Sequence, residues 1–190
     1  MMGEEELLLD CLQRLNASAL DYMLTGSMAS NYWGIPRSTH DLDFVLSMLP
    51  ADADRFIGVF QPDFFLQPES VRSAFRPPYQ FNALDERSAL KVDFWMLRDD
   101  DFEQEMFRRR QQHSVFGVPA WITTAEDIIL HKLHWNRISP SNRQLGDAAG
   151  VYSVQSGNLD LEYVNAWASK LHVEAELRNL IEGIIRPKST

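Results

Sequence analysis

The segment that decides the fold runs from Tyr22 to Asp43 and reads YMLTGSMASNYWGIPRSTHDLD. Its first four residues have the apolar and β-branched character of a short buried strand. Gly26 and Ser27 then form a turn, and the helix-compatible residues 28–33 end at Gly34. The segment therefore predicts a strand, a Gly-Ser turn, a short helix and a second strand that carries two aspartates.

Three aspartates are the candidate metal ligands. Asp41 and Asp43 lie two residues apart on the predicted strand, so both side chains leave the same face with Cα atoms about 6.6 Å apart. Asp93 lies on a later strand, where Val92 and Phe94 take the opposite face. If the two strands are neighbours, the carboxylates converge, and clustered like charges need a cation. Carboxylate oxygens suit Mg²⁺, so we predict a Mg²⁺ site.

Phosphate binding is predicted beside these acids. Gly26 permits close backbone approach or a positive φ, and Ser27 begins a helix whose free N–H groups attract anions. Arg37 could bind a phosphate or pair with an acid, and we expect it to bind the phosphate. Each feature alone is common without any function, since Asp-x-Asp pairs are usually solvated and Gly-Ser pairs are usually turns. The order of the elements along the chain carries the prediction.

This order resembles the signature of the DNA polymerase β-like nucleotidyltransferase superfamily, on residues 24–27 and 37–43. The resemblance implies an α/β (α+β) fold in which helices flank a mixed β-sheet, with a C-terminal helical part. It implies that Gly26 and Ser27 contact the phosphates of an NTP. It also implies metal ligation by Asp41, Asp43 and Asp93, the last acting partly as a base.

A later segment is similar to the helical half of toxin-like nucleotidyltransferases of the abortive-infection type. It reads TAEDIILHKL at 124–133 and NRQLGD at 142–147. This resemblance implies active-site roles for Lys132 and Asp147, and we expect Lys132 to point into the cleft of the aspartates. The alternatives are that Lys132 faces solvent on an amphipathic helix and that Asp147 only pairs with Arg143 at i, i+4.

The pattern of elements divides the chain into two predicted domains. Residues 1–122 form the α/β nucleotidyltransferase core, and residues 123–190 form a helical part packed on that core. Residues 62–78 contain four prolines and receive no assignment.

Composition limits the classes of function. The chain has 190 residues with a net charge of −9, which argues against a broad nucleic-acid-binding face because such faces need clustered Lys and Arg. A local contact with a nucleic-acid end remains open. The sequence has no apolar run of the ~20 residues that a membrane-spanning helix needs, and its start lacks the features of a signal peptide. We therefore expect a cytoplasmic protein with no membrane partner.

Together these features predict an enzyme that uses Mg²⁺ to move an NMP from an NTP to an acceptor hydroxyl. A tRNA end, a protein side chain and a small molecule are all candidate acceptors, and any of the four NTPs could be the donor. The toxin-like resemblance adds the expectation of a toxin–antitoxin role, with a cognate antitoxin as partner. The alternatives are a nucleotide-binding module without turnover and a purely structural or partner-binding protein.

Overall fold

The structure is a computed structural model that describes residues 3–187. These residues form two compact units: residues 3–26 with 40–122, and residues 27–39 with 123–187. Residues 27–39, which begin at the serine after Gly26, thus group with the C-terminal helices. The predicted domains, residues 1–122 and 123–190, stay a prediction.

The first unit is built on a seven-stranded mixed sheet in the order β3-β4-β5-β2-β1-β7-β6. Its strands are β1 (Asp21–Thr25), β2 (Leu42–Ser47), β3 (Phe64–Phe65), β4 (Gln80–Asp85), β5 (Lys91–Met96), β6 (Gln111–Val115) and β7 (Val118–Ile122). Two pairs are parallel, β1 with β7 and β2 with β5, and the other pairs are antiparallel. This mixed sheet confirms the predicted fold class.

The helices of this unit are α1 (Glu4–Ser18), α3 (Ala53–Phe60), α4 (Pro68–Ser73) and α5 (Asp101–Arg109), with a 3₁₀ turn at Pro50–Asp52 before α3. β4 pairs antiparallel with β5, and β6 pairs antiparallel with β7, so each couple forms a hairpin. The unassigned proline-rich stretch contains β3 and α4. Proline at the first position of α4 is compatible with a helix because the N–H it lacks has no partner inside a helix.

A cluster of phenylalanines fixes the register of the central strands. Phe94 of β5 stacks on Phe44 of β2 at 5.8 Å between ring centroids and on Phe81 of β4 at 5.2 Å. Phe56 of α3 packs edge-on against Phe94 at 4.9 Å. A slip of one residue would turn these rings to the opposite face, so their burial determines which residues occupy that face. Asp43 and Asp93, one residue before the stacked rings, leave the sheet on the side opposite the phenylalanines.

The second unit is helical. It contains α2 (Gly26–Trp33) from Ser27 onward, α6 (Ala125–Ile138), α7 (Asn142–Gln155), α8 (Leu161–Leu171) and α9 (Glu174–Ile181). Thr124 caps the start of α6, because its side chain accepts a hydrogen bond from the backbone N–H of Asp127. In the described part of the chain, every helix is too short or too polar to cross a bilayer.

Candidate active site

Two of the predicted metal ligands face each other across neighbouring strands. Asp43 of β2 and Asp93 of β5 are register partners in a parallel pair, so both side chains leave the same face of the sheet. Asp93 is buried and Asp43 is half-buried. Thr25 of β1 and Asn82 of β4 extend this row on either side. The sheet register therefore positions the Asp43–Asp93 pair.

The third predicted ligand is placed differently. Asp41 is exposed and precedes β2, which begins at Leu42 and not at Asp41 as predicted. The parallel ladder starts with the pair Leu42–Val92, so the sheet does not fix Asp41. Among residues 3–187, no group of three or more His, Cys, Asp or Glu side chains is arranged to hold a metal ion. Metal binding by Asp41 stays a prediction.

Gly26 allows the Asp43 carboxylate to approach the backbone. Its φ is +63°, and a Cβ added there would lie 2.1 Å from Asp43 Oδ2 and 2.9 Å from Asp43 Cβ. The side chain of any other residue would therefore collide with Asp43. On the other side of the carboxylate, the indole N–H of Trp95 donates to Asp43 Oδ1 at 3.4 Å. Gly26 is thus needed for its size as well as for its backbone conformation.

Gly26→Ala is expected to lower the free energy of unfolding by about 2–4 kcal/mol, from the left-handed backbone and the collision with Asp43. Chemical denaturation measures this loss. Gly58→Ala in α3 is the matched control, since a Cβ there meets no atom within 4 Å, and it is expected to stabilise the helix by about 0.5–1 kcal/mol. If both variants unfold at the parent's midpoint, the close approach to Asp43 does not exist.

Asp93 is bound through both carboxylate oxygens. The Lys91 ammonium lies 2.8 Å from Asp93 Oδ2, and the Gln80 amide donates to Oδ1 at 3.4 Å. The hydrogen bond to Asp93 raises the pKa of Lys91, and the negative charges of Asp93, Asp41 and Asp43 raise it further. All three predicted acids thus act on one cation. The sequence alone predicts that Lys91 shares a face with Asp93, because side chains alternate along a strand. Gln80 lies on another strand, so only the β4–β5 register could have identified it as a partner of Asp93.

The donor set fits Mg²⁺. Mg²⁺ is usually held by one or two carboxylates together with substrate phosphates, and Asp43 and Asp93 supply two carboxylates on facing positions. One oxygen of the pair, Asp93 Oδ2, already contacts a positive charge, the Lys91 ammonium. Asp43 and Asp93 would therefore hold a divalent cation through their carboxylates.

The four predicted site residues of the second unit form one polar network. Arg37 Nε lies 2.6 Å from Asp147 Oδ1 and its Nη2 lies 2.8 Å from Oδ2, which makes a bidentate ion pair. Arg37 Nη2 also donates to Ser27 Oγ at 2.8 Å. Lys132 Nζ lies 3.0 Å from Asp147 Oδ2. Asp147 thus connects both cations, and Arg37 links it to Ser27.

This network decides between the alternatives left open by the sequence. Lys132 is 4% exposed, so the solvent-facing alternative is wrong. Asp147 pairs with Arg37 and Lys132 and not with Arg143 as the helical spacing suggested. Arg37 makes the ion pair with an acid. The sequence could not place Arg37 beside a helix more than a hundred residues later. A shared active site for Lys132, Asp147 and the aspartates stays a prediction.

The network also sets the ionisation of Asp147. Burial raises the pKa of this carboxyl, but the hydrogen bonds and charges of Arg37 and Lys132 outweigh burial and hold the pKa below its ordinary value. A folded-state pKa below the unfolded value of about 3.9 stabilises the fold above that pH. This contribution is lost as the pH falls through the lowered pKa.

Comparisons with known proteins identify the fold. No protein-family model matches the sequence, and no curated protein matches it. The solution structure of the antibiotic-resistance factor ANT(2'')-Ia matches with a TM-score of 0.60 at 14% identity, over 95% of this chain and 97% of that chain. Its crystal structure with adenylyl-2''-tobramycin matches with a TM-score of 0.55 at 13% identity, over 88% and 96% of the two chains.

A third match comes from Paracoccidioides brasiliensis. The crystal structure of an antigenic nucleotidyltransferase-like protein has a TM-score of 0.55 at 14% identity, over 98% of this chain and 94% of that chain. At such identities the likeness concerns the fold, and it spans nearly the whole of both chains. The chain therefore has the fold of these nucleotidyltransferase and nucleotidyltransferase-like structures.

Proposed function

We propose that the protein is a Mg²⁺-dependent nucleotidyltransferase that moves an NMP from an NTP to an acceptor hydroxyl. The proposal depends chiefly on the Asp43–Asp93 pair. Both carboxylates leave the same face of the sheet in a chain that has the nucleotidyltransferase fold. Gly26 supports it, because the chain has a glycine where any side chain would displace Asp43. The proposal combines this geometry with the motif order that resembles polymerase β-like enzymes.

In the proposed reaction, Asp43 and Asp93 hold the metal, and Asp41 is a third ligand by resemblance. The metal would supply positive charge that offsets the negative charge developing on the phosphate oxygens. Asp93 also orients the acceptor hydroxyl and accepts its proton. The acceptor oxygen then bonds to the α-phosphorus as the bond to the bridging oxygen breaks, and pyrophosphate leaves.

The phosphates of the NTP need donors and positive charge. By resemblance, we propose that Gly26 and Ser27 provide backbone contacts, with Arg37 and Lys132 as cations. Asp147 would act by positioning the two cations, because it binds both. A positioned charge stabilises a transition state better than a mobile one because no reorganisation is needed during the reaction.

A small-molecule hydroxyl is the acceptor to test first. The crystal structure of ANT(2'')-Ia that matches this chain contains adenylyl-2''-tobramycin, and the match extends over 96% of the ANT(2'')-Ia chain. The net charge of −9 also disfavours an extended nucleic-acid acceptor and favours a cationic molecule. A tRNA end and a protein side chain are the second acceptors to test. The toxin–antitoxin role, a cognate antitoxin and a cytoplasmic location stay predictions from sequence.

A nucleotide-binding module without turnover is the second candidate function. The observation that favours it is the Lys91 ammonium on Asp93, which neutralises the proposed base in this structure. Such a module would bind Mg–NTP but transfer nothing.

Two measurements on the purified chain separate the candidates. Mg²⁺-dependent thermal stabilisation by each NTP is expected from the enzyme and from the binding module. Transfer of label from an α-labelled NTP to an acceptor is expected from the enzyme alone, with aminoglycosides, tRNA and cell-extract protein as separate acceptor arms. Stabilisation without transfer in every arm would favour the module, and the absence of both would contradict nucleotide binding.

A further inference from the structure

Lys91 is a cation placed among the proposed metal ligands. Its ammonium is 2.8 Å from Asp93 Oδ2. A residue two positions from Asp93 on the same strand necessarily shares its face of the sheet. The contact therefore follows from the strand itself and not from a flexible loop.

The two partners differ in exposure to solvent. The Asp93 side chain is 11% exposed and also accepts from Gln80, whereas the Lys91 side chain is 50% exposed. A lysine has a flexible four-carbon stem and a point charge with rotatable donors, so it can leave an acid without disturbing the backbone. Ion pairs of this exposure contribute little to stability. Lys91 can therefore exchange with a cation that binds the acids more strongly, while Asp93 stays fixed.

From this geometry we infer that Lys91 is a tethered counter-cation of the metal site. It offsets one of the two negative charges of the Asp43–Asp93 pair in the metal-free protein and is displaced when a divalent cation binds. The inference rests on the proposed function only in taking Asp43 and Asp93 as the metal ligands. Its consequence is that Lys91 weakens divalent-cation binding and so sets the metal concentration at which the site fills.

Direct metal binding tests this inference without nucleotide or turnover. We would titrate the full chain with Mn²⁺ and measure the concentration of free Mn²⁺ by electron paramagnetic resonance. The titration would then be repeated with Lys91→Met. Removing one positive charge a few ångströms from a divalent ion is expected to tighten Mn²⁺ binding by about tenfold. Lys91→Arg keeps the charge and is expected to bind Mn²⁺ as weakly as the parent.

Two further variants show whether the effect belongs to this site. Lys170→Met removes the same charge from an exposed lysine that lies 4.2 Å from the ring of Trp167, and its Mn²⁺ affinity is expected to equal the parent's. In an Asp93→Asn background, Lys91→Met is expected to lose most of its effect because the acid that Lys91 neutralises is gone. Thermal melting should agree with the titration. Mn²⁺ is expected to raise the melting temperature of Lys91→Met by more than it raises that of the parent.

The outcomes distinguish the inference from the proposed function. Tighter binding by Lys91→Met, but not by Lys170→Met, supports the tethered cation. Equal Mn²⁺ affinity of the parent and Lys91→Met overturns it and leaves the proposed enzyme intact. Absence of Mn²⁺ binding by the parent and by Lys91→Met overturns both the inference and the metal step of the proposed function.

Discussion

Asp43→Asn is expected to reduce NMP transfer by about 10³-fold while the protein stays folded. The substitution keeps the size and the acceptor oxygen that Trp95 contacts, but removes a charge from the proposed metal pair. Removing one preorganised group that stabilises transition-state charge typically lowers the rate by about 10²–10³-fold. We expect the loss of a charged metal ligand to lie at the upper end of this range. Transfer from an α-labelled NTP at saturating Mg²⁺ measures the loss.

The control separates catalysis from folding. Asp99→Asn removes the same charge from an exposed aspartate just after β5 and is expected to transfer at the parent's rate. Without metal, Asp43→Asn is expected to melt within about 2 °C of the parent or above it, because the change relieves repulsion among the acids. Parental transfer by Asp43→Asn, or a markedly lower melting temperature, would show that Asp43 is structural.

Asp147→Asn is expected to destabilise the protein by about 3–5 kcal/mol at pH 7. Asp147 is 8% exposed and binds two cations, and one of them, Lys132, is itself buried. The neutral amide would remove the negative charge that lies 3.0 Å from the buried Lys132 ammonium. For a chain of this size, the corresponding fall in melting temperature is about 6–20 °C.

Lys132→Met is the comparison variant for this network. It leaves Asp147 paired with Arg37 through two hydrogen bonds, so its loss of stability is expected to be smaller than that of Asp147→Asn. The difference between Asp147→Asn and the parent should shrink as the pH falls below about 4, and it should vanish below the lowered pKa of Asp147, where the carboxyl of the folded parent also becomes neutral. Equal stability of Asp147→Asn and the parent at pH 7 would contradict the buried network.

The sequence predicts those parts of the site that depend on strand alternation. Asp93 and Lys91 share one face because strands alternate, and the buried rings of Phe44 and Phe94 fix which face that is. The sequence predicts a Gly-Ser turn, but β1 is followed directly by α2, which begins at Gly26, so only the need for a glycine that tolerates a positive φ was predictable. The structure then adds a second need for glycine, which is the contact between Gly26 and Asp43.

Contacts between distant parts of the chain could not be predicted in this way. Helical spacing offers Asp147 a partner at i, i+4, but the fold gives it a bidentate arginine from a segment near the start of the chain. Such a pair depends on tertiary packing, which periodicity does not encode. The same holds for β3 and α4, because a two-residue strand and a six-residue helix are too short to show a period.

The most direct test of the central claim compares two labels of the same NTP. The purified chain is incubated with Mg²⁺, an aminoglycoside mixture and either the α-labelled or the γ-labelled nucleotide. Nucleotidyl transfer predicts an acceptor that carries the α label and released pyrophosphate that carries the γ label, with both products lost in Asp43→Asn. Transfer of the γ label to the acceptor, or release of the γ label as inorganic phosphate alone, would contradict attack at the α-phosphorus.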